Sequence, residues 1–264
     1  MNTKEVNSAN IPLIISDGCC VHFGSSPALE SVNFSINRGK KVAVVGPNGG
    51  GKSTLFNALA GLIPLTEGSL TIEGSTPEEA KGKVSYVPQK DLINWNFPLS
   101  VKQVVEMGIT TKKLSSLRNR KQVNDKIKKA LKDVGLEEKI NNNIKSLSGG
   151  QLQRVLIARA LAQDSEILLL DEAFSAVDIG AQEDIMQLIN SINLDGKTIL
   201  IATHDVNNLE EKFDEVLCLN THCCAYGDPS EVLTPEVIKE MYGSHSELFN
   251  NKSHFKTEGN NSND

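Results

Sequence analysis

Apolar residues fall into two kinds of run along this chain, and the spacing in each predicts the element it forms. Unbroken stretches rich in Val, Ile and Leu stand at Val42–Val45, Ile167–Leu170 and Thr198–Ala202, the last leading to Thr203-His204. That is the pattern of strands buried on both faces of a parallel sheet. After the first run Leu55, Leu59 and Leu62 recur near helical spacing until Gly61 and Pro64 stop them. Val84-Ser85-Tyr86-Val87-Pro88-Gln89 reads as a further buried strand ending in a polar residue, the place where an α/β sheet carries active-site side chains. Leu13 to Ser35 read as short strands broken at Gly24–Pro27, Asn37-Arg38-Gly39 as a turn, and Gly68 to Glu73 as another strand pair. From about Lys90 to Leu161 the spacing turns helical, and a second helix is expected from about Ala181 to Ile192. No internal repeat is visible. The pattern is that of an α/β fold carrying an inserted helical subdomain.

Composition changes this picture little. With 264 residues, 39% hydrophobic and 23% charged, the chain has enough apolar side chains for a full core. Twenty-seven basic against 33 acidic residues give a net charge of −6, which offers no overall attraction to nucleic acid. The exception is Lys112 to Lys132, with nine Lys or Arg and one acid, Asp125. Val123, Ile127 and Leu131 form a stripe of their own there, so a solvated helix face explains the charge, and phosphate-rich lipid headgroups are the alternative reading. The longest apolar runs, including Ile11–Ile15 with its Pro12, fall far short of the roughly 20 residues that cross a bilayer. Without a signal-like start the expected place is the cytoplasm. Five cysteines, Cys19, Cys20, Cys218, Cys223 and Cys224, form no C-x-x-C pair and read as reduced thiols. Cys218, His222, Cys223 and Cys224 have the residue types of a soft-metal site, but they lie where a β-hairpin around Asn220-Thr221 is expected.

Candidate chemistry concentrates at Gly46-Pro47-Asn48-Gly49-Gly50-Gly51-Lys52-Ser53-Thr54, which fits G-x-x-x-x-G-K-[ST] at every fixed position, between a strand and a helix. A loop that wraps a triphosphate turns its N–H groups inward, and side chains would block that approach. The helix that follows adds its N-terminal dipole, Lys52 reaches the β- and γ-phosphates, and Ser53 offers a hydroxyl to Mg2+. Leu147-Ser148-Gly149-Gly150-Gln151 opens another helix, with Ser148 as N-cap and two glycines baring its first N–H groups. A nucleotide kinase using only the phosphate loop would leave that second stretch unexplained.

Together the two stretches resemble the ATP-binding cassette family. The resemblance covers about residues 13 to 243, with residues 1–12 and 244–264 as flexible tails and the helical subdomain at about 90–161. It implies a P-loop NTPase (RecA-like) α/β core with an antiparallel β subdomain. It also implies a homodimer in which ATP lies between the phosphate loop of one copy and the Ser148–Gln151 turn of the other. On the same ground Asp171 holds Mg2+ together with Ser53 and Gln89, and Glu172 is the general base. His204 supports the attacking water, Gln89 is the lid glutamine, and Asp178 in Ser175–Asp178 crosses the dimer interface. Phe23 stacks on adenine, with His22 as its rival. The chain departs from the pattern at Ala173, where proline is usual, and at Gly50, where a small side chain is commoner and where an added glycine is expected to loosen the loop.

Trp95-Asn96-Phe97-Pro98 followed by Val101, Val104, Val105 and Gly108 resembles the ATPases of manganese, zinc and iron importers, with Asn96 in place of an expected aspartate. That resemblance implies a peripheral subunit on the cytoplasmic face of the inner membrane, beneath an integral permease fed by an extracytoplasmic metal-binding protein. Trp95 and Phe97 would equally well pack the helical subdomain. Import of ferric chelates or cobalamin, and a soluble role in assembly or repair, are the alternatives.

Overall fold

A computed structural model describes residues 12–89, 98–109, 117–174 and 179–243. Two sheets frame it. The larger runs in the order β5 (Val84–Val87), β6 (Ile167–Asp171), β7 (Thr198–Thr203), β3 (Lys41–Val45), β8 (Glu215–Asn220), β9 (His222–Gly227), parallel except for β9. The smaller is antiparallel, β2 (Ser26–Ile36), β1 (Ile14–Phe23), β4 (Glu67–Ile72).

Each central strand is apolar on both faces because each face meets a different layer, as period-two alternation requires. Val42, Val44, Ile167, Leu169, Leu200 and Leu217 share a cluster with Leu55, Phe56 and Leu59 of α1 (Lys52–Leu59) and with Ile14, Leu29 and Ile36 of the small sheet. Their neighbours Ala43, Val45, Leu168, Leu170, Ile199 and Ile201 join the helical side. There lie α2 (Val101–Glu106), α3 (Leu117–Asp133), α4 (Gly149–Ala162) and α5 (Ile179–Leu194). The short helices α6 (Leu209–Lys212), α7 (Pro229–Val232) and α8 (Pro235–Tyr242) complete the chain. The expected fold class is borne out.

Two local expectations need correction. The first two strands are long and continuous, joined by a turn at Gly24-Ser25, and Pro27 lies inside β2. Proline is tolerated there because β2 is an edge strand, where a missing N–H costs no ladder bond. Gly68 to Glu73 is not a pair of strands: β4 is a single strand, and its partner is the distant β1.

In α3 the stripe is as expected, Val123, Ile127 and Leu131 being buried with Ala130 and Val134 while Lys121, Lys126, Lys128, Lys129 and Lys132 are exposed. The lysines from Lys121 to Lys132 are therefore the solvated face of a packed helix, while Lys112 and Lys113 lie outside the described residues. Strand β9 links the sheets: Tyr226 stacks near Phe34, ring centroids 6.1 Å apart, and donates its hydroxyl to Ser35 O at 2.6 Å.

Candidate active site

All parallel strands release their chains at one edge, and the candidate residues collect there. From β3 the chain enters Gly46–Gly51 and turns directly into α1, whose first residue is Lys52. The Lys52 side chain is buried, and its ammonium donates to Gly46 O and Pro47 O, both at 2.8 Å. Burial lowers its pKa below the usual lysine value, opposed by the charges of Glu172 and Asp171. The cation thus closes the loop on itself while facing two carboxylates. Ser53 is exposed and Thr54 half-buried at the start of the helix, and Asn48 and Gly49 lie on the outer side of the loop.

The loop is wedged against β8. A Cβ on Gly46 would lie 1.9 Å from Leu219 O, and one on Gly50 would lie 2.9 Å from the same oxygen and 3.1 Å from Pro47 O. Past the end of β8, Thr221 donates its N–H to Gly50 O at 2.9 Å. Gly50 is thus a point of close backbone approach, not the source of looseness expected from the sequence.

The acidic pair ends β6. Asp171 is 1% exposed; Tyr86 on β5 donates to its Oδ2 at 3.1 Å, and its Oδ1 is buried with no hydrogen-bond partner among the described residues. Burial, then the charge and hydrogen bond of Asp171, push the Tyr86 phenol up and keep it a donor. Tyr86 is a site residue that the sequence does not single out, because only the pairing of β5 with β6 brings it to Asp171. Glu172 has left-handed backbone, φ +48°, with its N–H on Ala202 O at 3.1 Å. Gln89 donates its side-chain amide to Glu172 Oε2 at 2.6 Å. His204, exposed, follows β7 at the same edge, and Ala173 is buried.

The remaining candidates lie farther out. Phe23 is 59% exposed at the end of β1, whereas His22 is half-buried, its Nδ1 enclosed without a partner among the described residues. Ser148 caps α4 and forms a capping box with Gln151: Ser148 Oγ accepts the Gln151 N–H at 3.3 Å, and Gln151 Oε1 accepts the Ser148 N–H at 3.1 Å. Gly149 and Gly150 are the first helical residues, and none of these hydrogen bonds reaches the phosphate loop. The same helix is tied to the acidic site's strand, since Arg159 donates to Tyr86 O at 3.1 Å and Ser85 to Ala160 O at 2.9 Å. Asp178, Trp95, Asn96 and Phe97 lie outside the described residues.

Residues 29–175 match the family model for ABC transporter. The chain belongs to the ABC transporter family. It is 37% identical over 241 residues to the manganese transport system ATP-binding protein MntB of Halalkalibacterium halodurans, covering 91% of this chain and 96% of that one. It is 36% identical to the zinc transport system ATP-binding protein TroB of Treponema pallidum, covering 89% of each. Among solved structures, an inward-facing putative metal-chelate type ABC transporter matches with a TM-score of 0.74 at 26% identity, over 88% of each chain.

This ABC protein binds and hydrolyses ATP and is an ATP-binding component of a transport system. Among the described residues no helix is long and apolar enough to cross a membrane. The oxygen donors at this edge of the sheet fit a hard, oxygen-ligated cation. The buried, unpartnered Asp171 Oδ1 and the exposed Ser53 hydroxyl are oxygen ligands of the kind Mg2+ takes.

Proposed function

We propose that this chain is the ATPase of an importer for a divalent transition metal, manganese first and zinc or iron next. It works as a homodimer on the cytoplasmic face of the membrane beneath an integral permease that an extracytoplasmic metal-binding protein supplies. The observation that carries this reading is the likeness, along nearly the whole chain, to relatives named for manganese and zinc transport.

The residues gathered at the edge of the sheet support this chemistry. The loop N–H groups and Lys52 take the β- and γ-phosphates, the ammonium exchanging its contacts with Gly46 O and Pro47 O for phosphate oxygens. Glu172 accepts a proton from the attacking water, and Gln89, already on its carboxylate, orients the pair. His204 holds the water from β7, and Phe23 receives the adenine. Asp171, Ser53 and Gln89 would hold Mg2+, which when bound would supply charge neutralisation on the phosphates. The Ser148–Gln151 turn of the second copy covers the γ-phosphate with the bared N–H groups of its helix, and Asp178 crosses between the copies. Closing and reopening around ATP is the stroke delivered to the permease.

The test is cellular Mn, Zn and Fe content in a strain lacking this chain, with each metal limiting in turn, and again after restoring the wild type or its Glu172→Gln form. Selective loss of one metal, restored only by the wild type, is the expected result. Unchanged content of all three would sink the reading. Loss of ferric-chelate uptake instead would favour the chelate importer, which the 26% identical metal-chelate type structure resembles.

A further inference from the structure

Three of the five cysteines lie on the β8–β9 hairpin, and the fold separates them. Cys218 is fully buried in the helical-side cluster, and Cys223 packs against the cluster on the opposite face of the sheet. Between β8 and β9 the register slips: Leu219 pairs with Cys223 but Cys218 pairs with Ala225, so Cys224 has no partner opposite it. A bulge of this kind re-aims a side chain. Here it puts Cys224 with Ala225 on the helical side, the Cys224 thiol 3.7 Å from His222 Nε2. From α8 the carboxylate of Glu240 arrives on the same spot, its Oε1 2.8 Å from His222 Nε2. The three donor atoms all lie within 4.8 Å of one another.

We propose that His222, Cys224 and Glu240 form a binding site for a borderline-soft divalent cation of the zinc type. A tetrahedral Zn2+ with arms of about 2.0–2.3 Å sets its ligand atoms roughly 3.3–3.8 Å apart, and the donor set of one imidazole, one thiolate and one carboxylate leaves a fourth position for water. The 3.7 Å between sulfur and nitrogen fits that spacing as it stands, while His222 Nε2 and Glu240 Oε1, 2.8 Å apart as a hydrogen-bonded pair, would part by roughly 0.5 Å as the ion replaces the shared proton. A surface His–Glu pair accounts for two of the groups. It does not account for the bulge that brings a thiol to the same point. The ligand types select against Mg2+ and Ca2+, which take oxygen, so the site is chemically separate from the nucleotide site. It is also independent of what a transporter would carry. The sequence pointed to the hairpin but included Cys218 and Cys223, and it could not supply Glu240, which only the packing of α8 brings in.

The test is titration of the full-length, nucleotide-free protein with Co2+ under reducing conditions, followed by absorption spectroscopy and then displacement with Zn2+. The expected result is one equivalent bound, with a thiolate-to-cobalt charge-transfer band and the strong visible bands of a tetrahedral ion, both lost on adding Zn2+. Cys224→Ser should abolish the charge-transfer band. His222→Ala and Glu240→Gln should each weaken binding by more than about tenfold, the lower end of what loss of even an outer-shell partner costs. Cys223→Ser should bind as the wild type does. Absence of a thiolate band in the wild type, its persistence in Cys224→Ser, or its loss in Cys223→Ser would each overturn the assignment. His222 and Glu240 are half-exposed, so their variants should unfold with the wild-type transition in metal-free buffer, and the lost affinity then reports ligation.

Discussion

Glu172 is held in a conformation that few residues other than glycine adopt, φ +48°, at a cost of about 1–3 kcal/mol. What holds it is visible on both sides, the Ala202 carbonyl on its N–H and the Gln89 amide on its carboxylate. A carboxylate fixed in this way is aimed before substrate arrives, and replacing it by an isosteric amide removes the proposed base without disturbing the aim. Glu172→Gln should therefore bind ATP normally while hydrolysis falls by about 10²-fold or more, read as steady-state phosphate release against equilibrium nucleotide binding. A variant turning over near the wild-type rate would remove Glu172 from the role of base. Lys52→Ala takes away the charged donor proposed to meet the phosphates, so ATP affinity should fall by about 1.5–3 kcal/mol, a factor of roughly ten to more than a hundred in a calorimetric titration. At this scale the motif residues were legible because their chemistry is local. The Gln89–Glu172 bond and the Tyr86–Asp171 bond were not, since they join residues 83 and 85 positions apart that only the β5–β6 pairing brings together.

Among the elements, the buried strands were the easiest to read, their apolar runs being dictated by layers on both faces. The β1–β2 hairpin was read as broken because Pro27 is a breaker in an interior strand and harmless on an edge, and edge position is a property of the sheet. Helix α3 shows how composition can mislead: its many lysines suggest a binding surface, yet the stripe opposite them is what fixes its place. Ile127 is fully buried at the middle of that stripe. Ile127→Ala should cost about 2–5 kcal/mol in urea unfolding, whereas Lys128→Ala, on the exposed side, should stay within about 0.5 kcal/mol. Equal effects of the two would mean that α3 does not pack by this face. Helix α4 is tied to α5 by the Arg154–Asp184 pair at 2.5 Å and to β5 by Arg159.

For the molecule as a whole, the candidate site is divided. The phosphate loop, the acidic pair and His204 share one edge of the sheet, while Ser148–Gln151 begins a helix whose hydrogen bonds lead elsewhere. A second copy is the economical way to complete it. Size-exclusion chromatography of Glu172→Gln should show a dimer with Mg·ATP and a monomer with Mg·ADP, and the added substitution Ser148→Arg should abolish the ATP-dependent dimer. A monomer under all conditions would separate the second anion-binding turn from ATP. Hairpin tips are ordinarily the places where a chain tolerates insertions and new termini best. The tip at Thr221 is an exception, because its N–H is bonded to Gly50 O and its own carbonyl accepts from Glu30 N–H at 2.8 Å. Anyone inserting a tag, a fluorescent reporter or a permuted terminus between Asn220 and His222 would be cutting the strut of the phosphate loop, and the damage would register as lost nucleotide affinity in a protein that still folds.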